Sequence, residues 1–233
     1  MITLVLGGTR SGKSSFAEQI AWHRGQNEVV YVATAEVKDE EMTRRVKAHK
    51  EQRPDKWTTI EEPLVVAEAL KTQKKKQVVL LDCVTVLMSN LYYNQKDEPV
   101  EEKEKRVLAR MKDMIQVAQK KELDLILVSS EVGLGIVPAY EAGREYRDLA
   151  GRVNQYLARQ AKEVYFVCAG LPVEIKAQGL KNLQQFGGDD GDGLKEVDAD
   201  VSGDMHGGDE IDGSDDGDDI NGLAREDDLD GIS

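Results

Sequence analysis

An eight-residue stretch near the N-terminus combines glycines, a lysine and a serine at a spacing suited to binding phosphate. Residues 7–14 read GGTRSGKS and fit the pattern G-x-x-x-x-G-K-[S/T]. Glycines let such a loop curl so that its N–H groups point at phosphate oxygens, and the following helix adds partial positive charge. The lysine would reach the β- and γ-phosphates, and the last hydroxyl would bind Mg²⁺. The predicted phosphate-binding residues are Gly7, Gly8, Thr9, Arg10, Ser11, Gly12, Lys13 and Ser14.

A carboxylate is expected to complete this site. Asp82 directly follows the apolar run 78–81, where a P-loop protein holds its metal directly or through water. Asp82 and Ser14 are therefore the predicted Mg²⁺ ligands. Asp82 is also placed to cap a helix that begins at Val84, and the two roles are compatible.

His49 is the candidate nucleophile. The chain has three histidines, of which His206 falls in the acidic C-terminal region and His23 near the end of the first predicted helix. His49 has basic neighbours that suit a polyphosphate and would lower the pKa of its imidazole, which keeps the ring neutral and nucleophilic. From the residues alone, a surface histidine on a charged helix is the favoured interpretation, and the catalytic one stays open.

Short apolar runs alternate with longer helical patterns, which predicts an α/β fold with a mainly parallel sheet and helices on both faces. Strands are predicted at 2–6, 29–33, 78–81, 125–128 and 164–167, with weaker candidates at 58–60 and 172–175. Helices are predicted at 13–24, 39–52, 64–72, 100–121 and 140–162.

The charge is divided unevenly along the chain. The net charge is −13, but residues 187–233 hold 18 acidic and two basic residues, which leaves residues 1–186 slightly basic. This balance gives no support to a nucleic-acid partner. We predict one folded domain over 1–186 and a disordered Gly/Asp-rich tail over 187–233, since the tail has too little apolar content to offset chain entropy.

Two observations bear on the compartment. No apolar run approaches the ~20 residues of a membrane-spanning helix. Cys83 and Cys168, each after an apolar run, are predicted to be buried thiols in a reducing environment. A cytoplasmic protein without a membrane span is therefore expected.

Several further motifs together carry a family resemblance. They are residues 7–14, 33–35 (ATA), 45–57, 82–85 (DCVT), 90–91 (NL), 131–138 (EVGLGIVP) and 147–155 (RDLAGRVNQ). With these motifs in this order, residues 1–176 resemble the bifunctional adenosylcobinamide kinase/adenosylcobinamide-phosphate guanylyltransferase family. The resemblance implies a P-loop NTPase fold of the RecA type, Mg²⁺ as cofactor and a homotrimer.

The family's activity comprises two reactions. A nucleoside triphosphate, ATP or GTP, phosphorylates the aminopropanol hydroxyl of adenosylcobinamide. GTP then gives GMP to a histidine, and adenosylcobinamide phosphate takes it up to form adenosylcobinamide-GDP. The resemblance assigns the guanylylated histidine to His49, with Lys13 as the other catalytic residue. It adds nucleotide contacts at Ala33, Thr34, Ala35, Lys50, Glu51, Gln52, Arg53, Glu61 and Asp82.

Other hypotheses remain open at this stage. The chain could be a simple small-molecule P-loop kinase without a covalent intermediate, or a nucleotide-binding regulatory module whose partner binds the acidic tail. For residues 148–155, helix packing or subunit contact is as compatible with the sequence as substrate binding.

Overall fold

A computed structural model describes residues 1–36, 54–94 and 98–186. The strands in these ranges are β1 (Ile2–Gly7), β2 (Val29–Ala33), β3 (Thr58–Glu61), β4 (Val78–Asp82), β5 (Asp124–Ser130), β6 (Glu163–Cys168) and β7 (Leu171–Glu174). The helices are α1 (Lys13–Gly25), α2 (Val66–Lys71), α3 (Val84–Tyr93), α4 (Val100–Lys120), α5 (Glu141–Gln160) and α6 (Lys176–Phe186). None of the described helices combines the length and apolarity that crossing a membrane requires.

The strands form one sheet in the order β3-β2-β4-β5-β1-β6-β7. The first six strands are parallel, and β7 pairs antiparallel with β6. β5 therefore lies between β1, which leads into residues 7–14, and β4, which ends in Asp82. This mainly parallel sheet with helices on both faces is the predicted α/β fold, and residues 7–14 connect β1 to α1 as expected of a P-loop protein.

Two apolar cores cover the two faces of the sheet. On one face, α1 contributes Ala17 and Ala21 against side chains of the central strands and Trp57. On the other face, α2, α3, α4 and α5 pack over the alternate strand residues, with Met88, Met111 and Leu149 fully buried. Because both faces are covered, the central strands read as nearly continuous apolar runs.

All seven predicted strands are present with small shifts at their ends, as are four of the predicted helices. The helix expected at 39–52 and the tail expected at 187–233 lie outside the described residues. For α3, only the start at Val84 was expected and not its extent, and α6 was not predicted. In α3 the sequence VTVLMSNLYY is apolar almost all round and has little amphipathic period, and α6 is a short helix beyond the last strand.

Two smaller expectations were wrong. Cys168 is exposed rather than buried, because it ends β6 at the turn into β7; Cys83 is half-buried. The residue that caps α3 is Cys83, not Asp82, and no side-chain hydrogen bond caps that helix. The Asp82 carboxylate instead accepts a hydrogen bond from the Tyr31 hydroxyl, at 2.8 Å.

Arg24, in the last turn of α1, ties that helix to three strands at the amino edge of the sheet. Its Nη1 donates to Thr3 Oγ1 at 2.9 Å and to Asp124 Oδ1 at 3.1 Å, and its Nη2 donates to Glu163 Oε2 at 2.7 Å. The guanidinium thus neutralises two carboxylates that begin β5 and β6. Because α1 begins at Lys13, within residues 7–14, this anchor fixes the far end of the helix that leads away from those residues.

Replacing Arg24 with Ala should lower the free energy of unfolding by about 2 kcal/mol, because two carboxylates lose their shared cation at a largely buried position. Urea unfolding of the purified protein measures this change. Lys71→Ala is the control, since Lys71 pairs with Glu68 on an exposed helix face and its loss should change stability by less than about 0.5 kcal/mol. Equal effects of the two substitutions would contradict the anchoring role of Arg24.

Candidate nucleotide site

The phosphate loop leaves β1 at Gly7 and enters α1 at Lys13, as predicted. Its turn is closed by the Ser11 N–H, which donates to the Gly8 carbonyl at 3.3 Å. Gly12 has φ of 93°, in the left-handed region that favours glycine, and Arg10 has φ of 57°. At Gly7, a Cβ atom would lie 2.5 Å from Ser11 Oγ and 2.6 Å from the Val167 carbonyl oxygen. The loop geometry therefore requires glycine at Gly7.

The turn between β6 and β7 supports the loop from behind. The Gly170 N–H donates to the Ser11 carbonyl at 2.8 Å. A Cβ on Gly12 would lie 3.3 Å from Gly170 Cα, so the two backbones pass close together. Gly170 was not among the residues predicted for the site. In the sequence, its only local signal is a glycine between two predicted strands. The positive φ of Ala169 and Gly170, which forms the tight turn, is seen only in the structure.

Three features of the loop fit an anion. The Lys13 ammonium lies over the loop and donates to the Gly8 carbonyl at 3.1 Å. The first turn of α1 contains no acidic residue, so nothing offsets the positive end of the helix dipole. Ser11 Oγ is buried and has no hydrogen-bond partner among the described residues. A buried hydroxyl without a partner is costly, and a phosphate oxygen would supply the missing bond.

The strand register brings the other described candidates to the same edge. Ala33 of β2 pairs with Glu61 of β3 on one side and with Asp82 of β4 on the other. Gly7 pairs with Ser130 of β5, so the phosphate loop starts at the same carboxyl edge. Ligands of open α/β sheets bind at this edge. The predicted site residues that the structure describes therefore lie at or just beyond the carboxyl edge of the sheet, with Glu61 on the outermost strand.

Hydrogen bonds of Thr34 hold the segment after β2 beside Asp82. Its hydroxyl donates to the Cys83 carbonyl at 2.8 Å and accepts from the Cys83 N–H at 3.0 Å. The Asn90 amide of α3 then donates to the Thr34 carbonyl at 2.8 Å and to the Pro63 carbonyl at 3.1 Å. Residues 33–35 are thus fixed against both β4 and α3.

Cys83 lies next to the site but is a poor nucleophile. Burial, with a contribution from the neighbouring Asp82 charge, raises the pKa of its thiol to about 12, and the Lys13 ammonium opposes this only partly. The thiol is therefore neutral near pH 7. The predicted residues His49, Lys50, Glu51, Gln52 and Arg53 lie outside the described residues.

A buried polar network supports the loop that follows β5. Asn154 of α5 accepts from the Ser129 hydroxyl at 2.7 Å and donates to the Ser130 carbonyl at 3.2 Å. Thr85 accepts from the Ser130 N–H, and the Tyr146 hydroxyl donates to the Thr85 carbonyl. Of the two roles left open for residues 148–155, Asn154 therefore has the packing one. Only the tertiary structure brings these residues together.

Comparison with known proteins places this geometry in a family. The cobinamide kinase / cobinamide phosphate guanyltransferase family (CobU) matches residues 3–175. The chain belongs to this family. The resemblance inferred from the motifs is thereby confirmed, and with it the prediction of an enzyme of cobinamide phosphorylation and guanylyl transfer.

Named relatives agree with this assignment. The bifunctional adenosylcobalamin biosynthesis protein CobU of Escherichia coli K12 is 39% identical over 183 residues, which are 76% of this chain and all of that protein. The bifunctional adenosylcobalamin biosynthesis protein CobP of Pseudomonas aeruginosa is 39% identical over 77% of this chain and all of its own length. Among solved structures, the flagellar accessory protein FlaH of Methanocaldococcus jannaschii is similar over 71% of this chain and 70% of its own, with 13% identity and a TM-score of 0.39. The family assignment does not depend on that partial overlap.

The Gly7 contacts give a direct test of the loop. Gly7→Ala should lower the unfolding free energy of the nucleotide-free protein by about 1–3 kcal/mol, because the new methyl group meets the Val167 backbone. Gly8→Ala is the matched control. A Cβ at Gly8 has nothing within 4 Å, so its effect should stay within about 0.5 kcal/mol. Urea unfolding without nucleotide measures both, and a Gly7→Ala protein as stable as the control would show that the described loop geometry is incorrect.

Proposed function

We propose that this chain acts in adenosylcobalamin biosynthesis by phosphorylating the aminopropanol hydroxyl of adenosylcobinamide and then transferring GMP from GTP onto the new phosphate through a guanylylated His49. One observation carries the proposal. A complete phosphate loop lies at the same sheet edge as Asp82, in a chain whose residues 3–175 match the cobinamide kinase / cobinamide phosphate guanyltransferase family.

In the kinase step, the loop N–H groups, the start of α1 and Lys13 hold the β- and γ-phosphates of ATP or GTP. The acceptor hydroxyl oxygen attacks the γ-phosphorus and its proton is released to water, the bond from that phosphorus to the bridging oxygen breaks, and the nucleoside diphosphate leaves. Positive charge around the loop stabilises the charge that develops on the transferred group.

Asp82 and Ser14 are the residues that would hold Mg²⁺. Both offer oxygen, the donor that this cation prefers, and the Tyr31 hydroxyl orients the Asp82 carboxylate. When bound, Mg²⁺ would neutralise negative charge on the phosphates.

In the guanylyltransfer step, an imidazole nitrogen of His49 attacks the α-phosphorus of GTP and pyrophosphate leaves. A phosphate oxygen of adenosylcobinamide phosphate then attacks the same phosphorus, and the P–N bond breaks to free the histidine. Lys50 and Arg53 neutralise the leaving pyrophosphate. Ala33, Thr34, Ala35, Glu51, Gln52 and Glu61 complete the guanine-nucleotide contacts. Cys83 does not compete with His49 as the nucleophile, because its thiol stays protonated.

The remaining features of the proposal concern the whole protein. Residues 1–186 form the catalytic domain, which assembles as a homotrimer in the cytoplasm. Residues 187–233 are an accessory acidic tail. This division is supported by the relatives, since 76% of this chain covers the entire Escherichia coli protein.

The covalent step is tested with GTP labelled at the α-phosphate. Wild-type protein with Mg²⁺ should take up label that is lost in acid and stable in alkali, as expected of a P–N bond. His49→Ala should lose it completely while still phosphorylating adenosylcobinamide. His23→Ala is the control, because His23 is exposed in the last turn of α1 and should label normally. Labelling that persists in His49→Ala would contradict the assigned nucleophile, and an unlabelled wild-type protein with intact kinase activity would indicate a simple kinase.

Use of one phosphate loop for both reactions is tested with Lys13→Ala. Loss of this ammonium should reduce γ-phosphate transfer and α-phosphate labelling together, each by roughly a hundredfold or more, because the same triphosphate is held for both. Rates are measured separately for the two reactions, with Lys71→Ala as a control on a distant helix. A Lys13→Ala protein that guanylylates at the wild-type rate would show that the second reaction uses another site.

A further inference from the structure

The loop that follows β5 presents an uncharged, apolar surface to solvent. Residues 132–140 read VGLGIVPAY and contain no charged residue, in a chain of which 32% is charged. The exposed fractions are 79% for Leu134, 97% for Ile136, 58% for Val137 and 69% for Tyr140. We call these four side chains the acceptor platform. Clustered exposure of this kind marks an interaction site.

The platform begins beside the phosphate loop. β5 pairs with β1 so that Ser130 lies opposite Gly7, and the Glu131 N–H donates to the Gly7 carbonyl at 3.1 Å. The first residue of the connection is therefore bonded to the first residue of the phosphate loop. A molecule lying on the platform would have the bound triphosphate as its neighbour.

Both ends of the loop are anchored, although its apolar side chains are exposed. Val132 packs against the core, and the Gly133 N–H donates to Glu131 Oε1 at 2.7 Å. At the other end, Arg144 Nη1 donates to the Pro138 and Ala139 carbonyls at 3.1 and 2.8 Å. The Tyr140 ring covers Gly143, where a Cβ would lie 2.6 Å from the ring. The anchored ends restrict the loop backbone while its apolar side chains stay exposed to solvent. A ligand that binds there therefore loses less entropy in ordering the loop.

We propose that Leu134, Ile136, Val137 and Tyr140 bind the corrin macrocycle of the acceptor and so place its hydroxyl at the γ-phosphate. This inference rests on the proposed function and names the residues that recognise its second substrate.

The chemistry of the acceptor matches the platform. A cobinamide has a broad macrocycle with a methyl-bearing periphery and uncharged amide arms, and its reactive hydroxyl ends one arm. Such a molecule must lie within the reach of that arm from the phosphate loop, and its periphery offers apolar area and uncharged amides to the surface that binds it. The nucleotide requires the opposite surface, which the phosphate loop and Lys13 supply.

The test compares two aspartate substitutions matched in residue type and exposure. Val137→Asp changes the platform, and Val173→Asp changes a valine on β7 that is 57% exposed. Ile136→Asp provides a second platform variant at an almost fully exposed position, where folding is not at stake. Cobinamide binding is measured by equilibrium dialysis, using the visible absorption of the corrin, in the presence of GDP, which has no γ-phosphate to transfer during the measurement. Labelling with α-labelled GTP, which needs no corrinoid, reports folding and the nucleotide site, and light scattering reports the oligomeric mass.

The platform variants should bind cobinamide at least roughly tenfold more weakly and raise its KM to match, since an apolar contact is replaced by a buried charge. GTP labelling and oligomeric mass should be unchanged, and Val173→Asp should bind cobinamide as the wild type does. Unchanged cobinamide binding in both platform variants would overturn the inference. Weakened binding that comes with a changed oligomeric mass would also overturn it, because the surface would then be a contact between copies of the chain. Failure of the proposed function is distinct: the wild-type protein itself would not use cobinamide.

Discussion

The site depends on the close approach of the phosphate-loop backbone at Gly7 to the neighbouring strands β5 and β6. Gly7 is paired to β5 through Ser130 and to β6 through Val167, and a side chain there would collide with Ser11 and with the Val167 carbonyl. The loop is then held from behind by Gly170 and at its root by Glu131. A phosphate site of this kind gains affinity because its donors are fixed before the ligand arrives. The exclusion of a single Cβ atom at Gly7 is therefore what allows the loop to be tight, and Lys13 and Ser14 follow from it in fixed positions.

The amino and carboxyl edges of the sheet differ in how their polar side chains are paired. At the amino edge, Arg24 satisfies Thr3, Asp124 and Glu163, so the polar groups there are paired within the protein. At the carboxyl edge, the Ser11 hydroxyl is buried without a partner in the described part of the chain. Polar groups that a fold leaves unpaired at a cost to stability are candidates for ligand contacts. The contrast between the edges therefore identifies the functional end of the molecule independently of the sequence motif.

The sequence predicted those features that are local in the chain. The phosphate loop is contiguous, and the buried strands stand out as apolar runs, so both could be recognised without knowing what packs where. The extent of helix α3 could not, because burial on several sides removes the amphipathic period that identifies a surface helix. Gly170 and Asn154 were missed or left undecided for a different reason. Each acts through hydrogen bonds to residues of another element, and those pairings exist only once the strand order is known. Exposure of Cys168 likewise depends on β7 forming a short edge strand.

The proposed reactions act on different phosphorus atoms of one triphosphate, and the segments proposed to supply the two reactants both follow strands at the carboxyl edge of the sheet. In the proposed kinase step, the phosphate loop at the end of β1 holds the β- and γ-phosphates. From β1 the sheet continues through β5 and β4 to β2, whose carboxyl edge leads through Thr34 into the connection that carries His49. The acceptor platform instead starts at Glu131, next to β1 itself. A kinase fold needs only one added nucleophile, on a connection that already leaves the same edge, to support guanylyl transfer as well.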